Sequence, residues 1–228
     1  MNKNYYILAV LFIGLGFSSC NKKKWAKTAD ISIVYAATTN TVVIAGKDFV
    51  MDELSVSFSK IELSGDRLQA DYVSISNAGL VDVNFISPDG VGNSLIALPQ
   101  GTFDEMEMPL SIGGNGEQSV RLHGEYFFPN GDIYQIEIAL AIDTYELLAV
   151  LDNDNETTIL IEEGSPRNVK LTMNPQQLFS EVNPGLWNAA AVTSVGGAQT
   201  MVVDELNNES VYYALLAGFS TALTAKFE

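Results

Sequence analysis

The chain has 228 residues, with 28 Asp/Glu against 12 Lys/Arg, a formal net charge of −16 and 47% hydrophobic side chains. So acidic a composition is a poor match for nucleic-acid phosphates, which demand a positive surface, and no nucleic-acid partner is expected. A single cysteine and a single histidine exclude an internal disulfide and any Cys/His zinc spacing.

The first element in chain order runs from Met1 to Cys20. Lys3 supplies a short positive region, Tyr5 to Leu15 is an apolar run too short to span a bilayer comfortably, and the small residues Ser18 and Ser19 lead into Cys20. The stretch resembles the signal peptide and lipobox of a bacterial lipoprotein, with Phe17 where that motif more often has Leu. The resemblance implies a signal peptide over 1–19, removed by cleavage, and a lipidated tether over 20–29. Cys20 would carry a diacylglycerol thioether and an acylated new amino terminus. An ordinary secretory signal or a membrane anchor helix is the alternative.

After cleavage about 209 residues remain, enough to bury roughly 70% of the unfolded surface without disulfides or metals. Lys22, Lys23, Lys24 and Lys27 flank the cysteine, and all 28 acids lie beyond them. Seven Lys/Arg against 28 Asp/Glu leave that portion at −21. The lysines form either a collar for anionic headgroups or a plain solvated tether. In some lipoproteins of this kind acidic residues after the cysteine direct the chain to the cell surface. Here Asn21 and lysines follow, so the expected address is the outer membrane with the body facing the periplasm, the cell surface being the alternative.

From Asp30 onward short β-strands alternate with turn residues. Ile31 to Tyr35 and Thr41 to Ala45 are the first two. Phe49 to Leu63 is longer; Leu54, Val56 and Phe58 share a face before the phase switches to Ile61 and Leu63, which predicts a β-bulge near Ser59–Lys60. Turns are expected at Gly65–Asp66, at 77–79 and at 88–90, around strands Asp71 to Ile75 and Leu80 to Ile86. Met106, Met108, Leu110 and Ile112 then face one way, as core or as an apolar groove. Glu105 and Glu107 face the other. The glycine-rich stretch 113–116 is a hairpin turn or a subdomain break.

Ser119 to Ile142 reads as a hairpin around Pro129-Asn130-Gly131-Asp132. A three-residue loop, 130–132, pairs Tyr126 with Ile136, Gly124 with Ile138 and Leu122 with Leu140, which keeps the apolar set on one face. Strands Tyr145 to Leu151, Thr157 to Ile161 and Val169 to Met173 follow. Asn174–Pro175 is a helix start, with Leu178, Phe179 and Val182 on its apolar face and Asn183-Pro184-Gly185 at its end. Residues 186–200 carry no clear period. A second helix starts at an Asn208 cap with Val211, Leu215 and Phe219 in a stripe, and Thr221 to Phe227 closes as a strand. The predicted fold is mainly β: a two-layer β-sandwich of immunoglobulin or transthyretin type over 30–228, with short C-terminal helices.

Phe58-Ser-Lys-Ile-Glu-Leu63, Val81-Asp82-Val83 and Leu98-Pro99-Gln100-Gly101-Thr102-Phe103 resemble a family of Gram-negative envelope lipoproteins of unknown function. In that family a Leu-Pro-x-Gly-x-Tyr/Phe turn precedes a strand of such a sandwich. The resemblance implies fold and compartment and brings no catalytic residues.

Chemistry has two candidate places. In the register above Arg121, His123 and Glu125 share the polar face with Gln135 and Glu137, and Glu125 falls opposite Glu137. Two like charges there need relief, from Arg121, His123, solvent or a cation held by His123, Glu125 and Glu137. Asp152, Asp154, Glu156 and Glu163 stand at positions one, three, five and twelve of a calcium loop, but Thr157 replaces the glycine that loop needs; a looser Ca²⁺ turn or a plain acidic hairpin tip fits them. No free thiol, Gly-x-Ser-x-Gly elbow, phosphate-binding loop or dinucleotide fingerprint occurs. Glu105/Glu107 and Glu162/Glu163 read as solubilising acids. Trp187 fills the core or offers a ring to a sugar or peptide. The expectation is a non-catalytic, lipid-anchored envelope protein that binds or scaffolds an envelope protein or glycan. A surface adhesin, or a calcium- or glycan-binding protein or metal-dependent hydrolase, is the alternative.

Overall fold

The computed structural model describes residues 25–87, 94–113, 118–128 and 131–228. Cys20, the turn at 88–90 and the glycines at 114 and 116 lie outside them. The described chain is mainly β, a curled mixed sheet with three short helices.

The spine is β3 (Lys47–Arg67). Along one edge it pairs first with β7 (Val120–Phe127) and then with β6 (Gly101–Ile112); along the other, first with β2 (Thr41–Ile44) and then with β4 (Ala70–Asn84). A strand serving four partners must bend, and β3 does so at register shifts. One lies between Phe58 and Lys60, against both β4 and β6, where the phase change places the bulge. Another lies between Met51 and Glu53 against β7. The inward residues Phe49, Met51, Leu54, Val56, Phe58, Ile61 and Leu63 are all buried, and the two spacings of three among them mark the two bulges.

The order across the sheet is β12-β13-β8-β7-β3-β6-β9-β14-β11-β1-β5, with β10 on β6. The remaining strands are β1 (Thr28–Ala37), β5 (Ser94–Pro99), β8 (Ile133–Leu140), β9 (Thr144–Leu151), β10 (Ile159–Ile161), β11 (Arg167–Met173), β12 (Thr193–Val195), β13 (Ala198–Val203) and β14 (Leu223–Phe227). Three pairs are parallel, β1 with β11, β8 with β13 and β9 with β14; the other pairings are antiparallel. Buried residues from β1 to β14 belong to one hydrophobic cluster.

Several local expectations change. Gly65 is no turn: it lies inside β3, where an added Cβ would meet Met106 at 3.1 Å, and the chain reverses at 68–69. Residues 77–79 do not turn either. β4 runs through them, and Gly79 (φ +138) occupies its bulge opposite Ser59. At the glycine break, Gly113 donates to Ser57 O, and Ser119 O accepts from Ser57 N. The stretch therefore joins two strands docked on the same spine.

At the C-terminus Asn174 caps α1 (Pro175–Leu178), its side chain accepting from the Gln176 and Gln177 amides. Asn183-Pro184 does not merely end this helix. It repeats the device and starts α2 (Pro184–Ala189), whose Trp187 is 1% exposed. The ring lies edge-on to Tyr126 and Phe179 at 5.5 and 5.8 Å, so Trp187 is core. Its indole N–H makes no full hydrogen bond, though it offsets in part the burial that pushes the Tyr126 hydroxyl pKa up. β12 and β13 form a hairpin over Gly196–Gly197, both at positive φ, in the stretch that shows no period. Asn208 begins α3 (Glu209–Ala222) in the left-handed region, without capping it. Its side chain instead accepts from Ala191 N and donates to Ala191 O and Val202 O. The helix then passes directly into β14.

Candidate ligand-binding cleft

β7 and β8 alternate cleanly: Val120, Leu122, Gly124 and Tyr126 are buried, while Arg121, His123 and Glu125 stand on the other face. The hairpin register differs by two residues from the expected one. Tyr126 pairs with Tyr134, Gly124 with Ile136, Leu122 with Ile138 and Val120 with Leu140, and Phe128 N donates to Asp132 O. The hairpin thus closes at Phe128 and Asp132, with Gly131 at φ +90. A shift of two keeps every side chain on its face, which is why alternation alone could not detect it.

The shift removes the direct Glu125–Glu137 pair. Glu125 faces Gln135, whose Nε2 donates to it at 3.2 Å, and Glu137 faces His123. The like-charge conflict does not arise.

On the other side of β7 the bulge in β3 shapes the site. Met51 pairs with Gly124 and Glu53 with His123, so Asp52 is the extra residue. Bulges re-aim side chains, and here Asp52 Oδ1 comes to 2.7 Å from His123 Nδ1 while Glu53 reaches Arg121 at 3.5 Å. Gly124 makes room for it: a Cβ there would lie 2.2 Å from Val50 O. Glu53 also accepts from the Ser55 hydroxyl at 2.8 Å.

Glu53, Arg121, His123, Glu137, Val202 and Asp204 line a half-open cleft of about 340 Å³ across β3, β7, β8 and the end of β13. Desolvation pushes the Asp204 carboxyl up. Hydrogen bonds from the Leu206 and Asn207 amides and the Asn207 side chain together outweigh it and hold the group below its ordinary value. The cleft therefore presents one guanidinium and one imidazole among several carboxylates, a floor suited to a polar ligand carrying both donors and acceptors. Asp52, Glu53 and Asp204 are absent from the sequence-based candidates. The Met51-to-Leu54 spacing of three was the signal for the first two.

The acidic loop after β9 is organised by its own backbone. Asp152 Oδ1 accepts from the Asp154 and Glu156 amides, each at 2.8 Å, and Asn155 takes φ +64. Glu163 lies beyond β10, ion-paired with Lys27 at 2.7 Å. Among the described residues no group of three or more His, Cys, Asp or Glu side chains is placed to hold a metal. Glu105 is exposed, at φ +51 in a bulge of β6. Met106 and Met108 are buried, and so is Phe103 at the end of the Leu-Pro-x-Gly-x-Phe segment.

Compared with protein-family models, curated proteins and solved structures, the chain finds no match.

Proposed function

We propose that the chain is a lipid-anchored cell-envelope protein, tethered through Cys20 to the outer membrane on its periplasmic side. Its β-sandwich body binds another envelope component, a protein or glycan, without catalysing a reaction. The observation that carries the binding reading is the cleft, whose volume lies at the lower end of the range for ligand sites. The non-catalytic reading is supported by the nearby Ser55 hydroxyl, which donates to Glu53 and not to the imidazole of the His123–Asp52 pair.

The test is affinity capture from solubilised envelopes with the native lipoprotein and with an Arg121→Glu/His123→Ala variant of unchanged melting temperature. Loss of the captured component in the variant is expected; identical capture would count against the cleft. For the anchor, Cys20→Ala should leave the membrane fraction, and persistent labelling of that variant with radiolabelled palmitate would overturn the assignment.

A second reading, a surface adhesin-like module, is favoured by β4, fifteen residues long and paired only with β3 among the described residues. Such an edge can accept an added strand.

A further inference from the structure

We propose that the end of the body from which the tether leaves, centred on Leu68 and Leu160, rests on the lipid surface; this rests on the reading of Cys20 as the lipidated residue. The tether is clamped where it meets the body. Arg67 donates to Trp25 O at 2.9 Å, the Gln100 amide donates to Lys27 O at 2.8 Å, and Lys27 Nζ pairs with Glu163. From Cys20 to Trp25 is five residues, a contour of at most about 18 Å even fully extended. The clamp thus holds this end of the sheet within a short distance of the headgroups, whatever path those residues take.

The side chains at that end fit a lipid boundary. Leu160 is directly opposite Thr102 on β6, and on the other side of β6 the Leu68 amide donates to Thr102 O. The two leucines therefore flank Thr102 on one face of the sheet. They are 50% and 65% exposed, and Tyr72, 57% exposed, lies just beyond on β4. Exposed leucines scattered singly need no explanation, but a pair beside the exit of an anchored tether does. Asp66, Asp71 and Asp104 lie at the same end, so the body's own charge does not drive the contact. Apolar burial and the lysines before the clamp do.

The experiment uses the full lipidated protein reconstituted into phosphatidylcholine vesicles, with and without phosphatidylglycerol. With Cys20 thioether-linked, an introduced cysteine is the sole free thiol for an environment-sensitive dye. Leu68→Cys and Leu160→Cys should show a blue-shifted emission and quenching by doxyl-labelled lipid, in both vesicle types. Val43→Cys is the control. It is exposed on β2, which pairs with the opposite end of β3 from Arg67, and should show neither. Equal spectra at all three positions, with the protein still floating with the vesicles, would overturn the seating and leave the anchor standing. Failure of the unsubstituted lipoprotein to float would overturn the anchor, and the seating with it.

Discussion

Gly218 of α3 passes so close to Leu178 at the end of α1 that a Cβ on the glycine would lie 2.3 Å from the Leu178 carbonyl oxygen. The contact is backbone against side-chain space, with no flexible group able to yield. It joins the two helices across the C-terminal layer, where Gln177 Nε2 also donates to Thr221 Oγ1 at 3.2 Å.

Gly218→Ala should therefore destabilise the fold by about 2–3 kcal/mol through overpacking, although alanine is the better helix former. Urea unfolding measures it; a variant as stable as the parent would show that α1 and α3 can separate without loss.

The loop after β9 should depend on an acceptor at position 152 and on no bound ion. Asp152→Ala removes the partner of two amides and is expected to cost about 1–2 kcal/mol, whereas Asp152→Asn, which keeps an acceptor oxygen, should recover most of that. Thermal melts in millimolar Ca²⁺ and in chelator are expected to superimpose for the parent. A calcium-dependent rise abolished by Asp152→Asn would establish an ion there.

Two carboxylates should bend the pH profile in opposite senses. Glu146 sits on the inward face of β9 opposite Leu110, and burial pushes its pKa above the ordinary 4.5. A folded-state value above the unfolded one costs stability wherever the group is ionised, and the cost disappears as pH falls below the unfolded value. Glu146→Gln should thus raise the melting temperature at neutral pH, by less than about 1 kcal/mol in stability, with the gain fading toward pH 4. Asp204 is held below its ordinary 3.8. Its contribution is full above that value and is lost as pH falls through the lower folded value, so Asp204→Asn should be less stable at neutral pH and converge on the parent in strong acid.

The paired bulge geometry of the cleft makes a separate prediction. His123 and Asp52 are both substantially solvent-exposed, so Asp52→Ala should change stability by less than about 1 kcal/mol. Gly124→Ala, which drives a Cβ into the Val50 carbonyl and Met51, should cost more than about 3 kcal/mol. Measuring both separates the His123–Asp52 contact from the bulge that presents it.

Much of the β character was legible because burial imposes a period of two, and each break in that period in β3 is a bulge. One of the two breaks was read, at Phe58 to Ile61. The other, at Met51 to Leu54, carries Asp52 and Glu53 to the cleft and went unread, so the histidine was found without its partner. Alternation fixes a hairpin's register only to within two residues, so the face pattern could not tell the expected pairing of Tyr126 with Ile136 from the observed pairing with Tyr134. Gly65 and Gly79 read as turns because glycine marks both turns and close approaches; only their neighbours, Met106 and the β4 bulge, decide. Residues 186–200 hid a helix turn and a three-residue strand, each shorter than the window in which a period becomes visible.

The placement of β14 sets an order on the making of the molecule. This five-residue strand joins β9 to β11 in the interior of the sheet, yet it follows every other described element. Until residues 223–227 arrive, the two neighbours face each other across an empty slot and both expose unpaired backbone. A chain shortened by those few residues would lose the ladder that joins β9 to β11 rather than a dispensable tail. Premature termination there should yield a product that aggregates or is degraded.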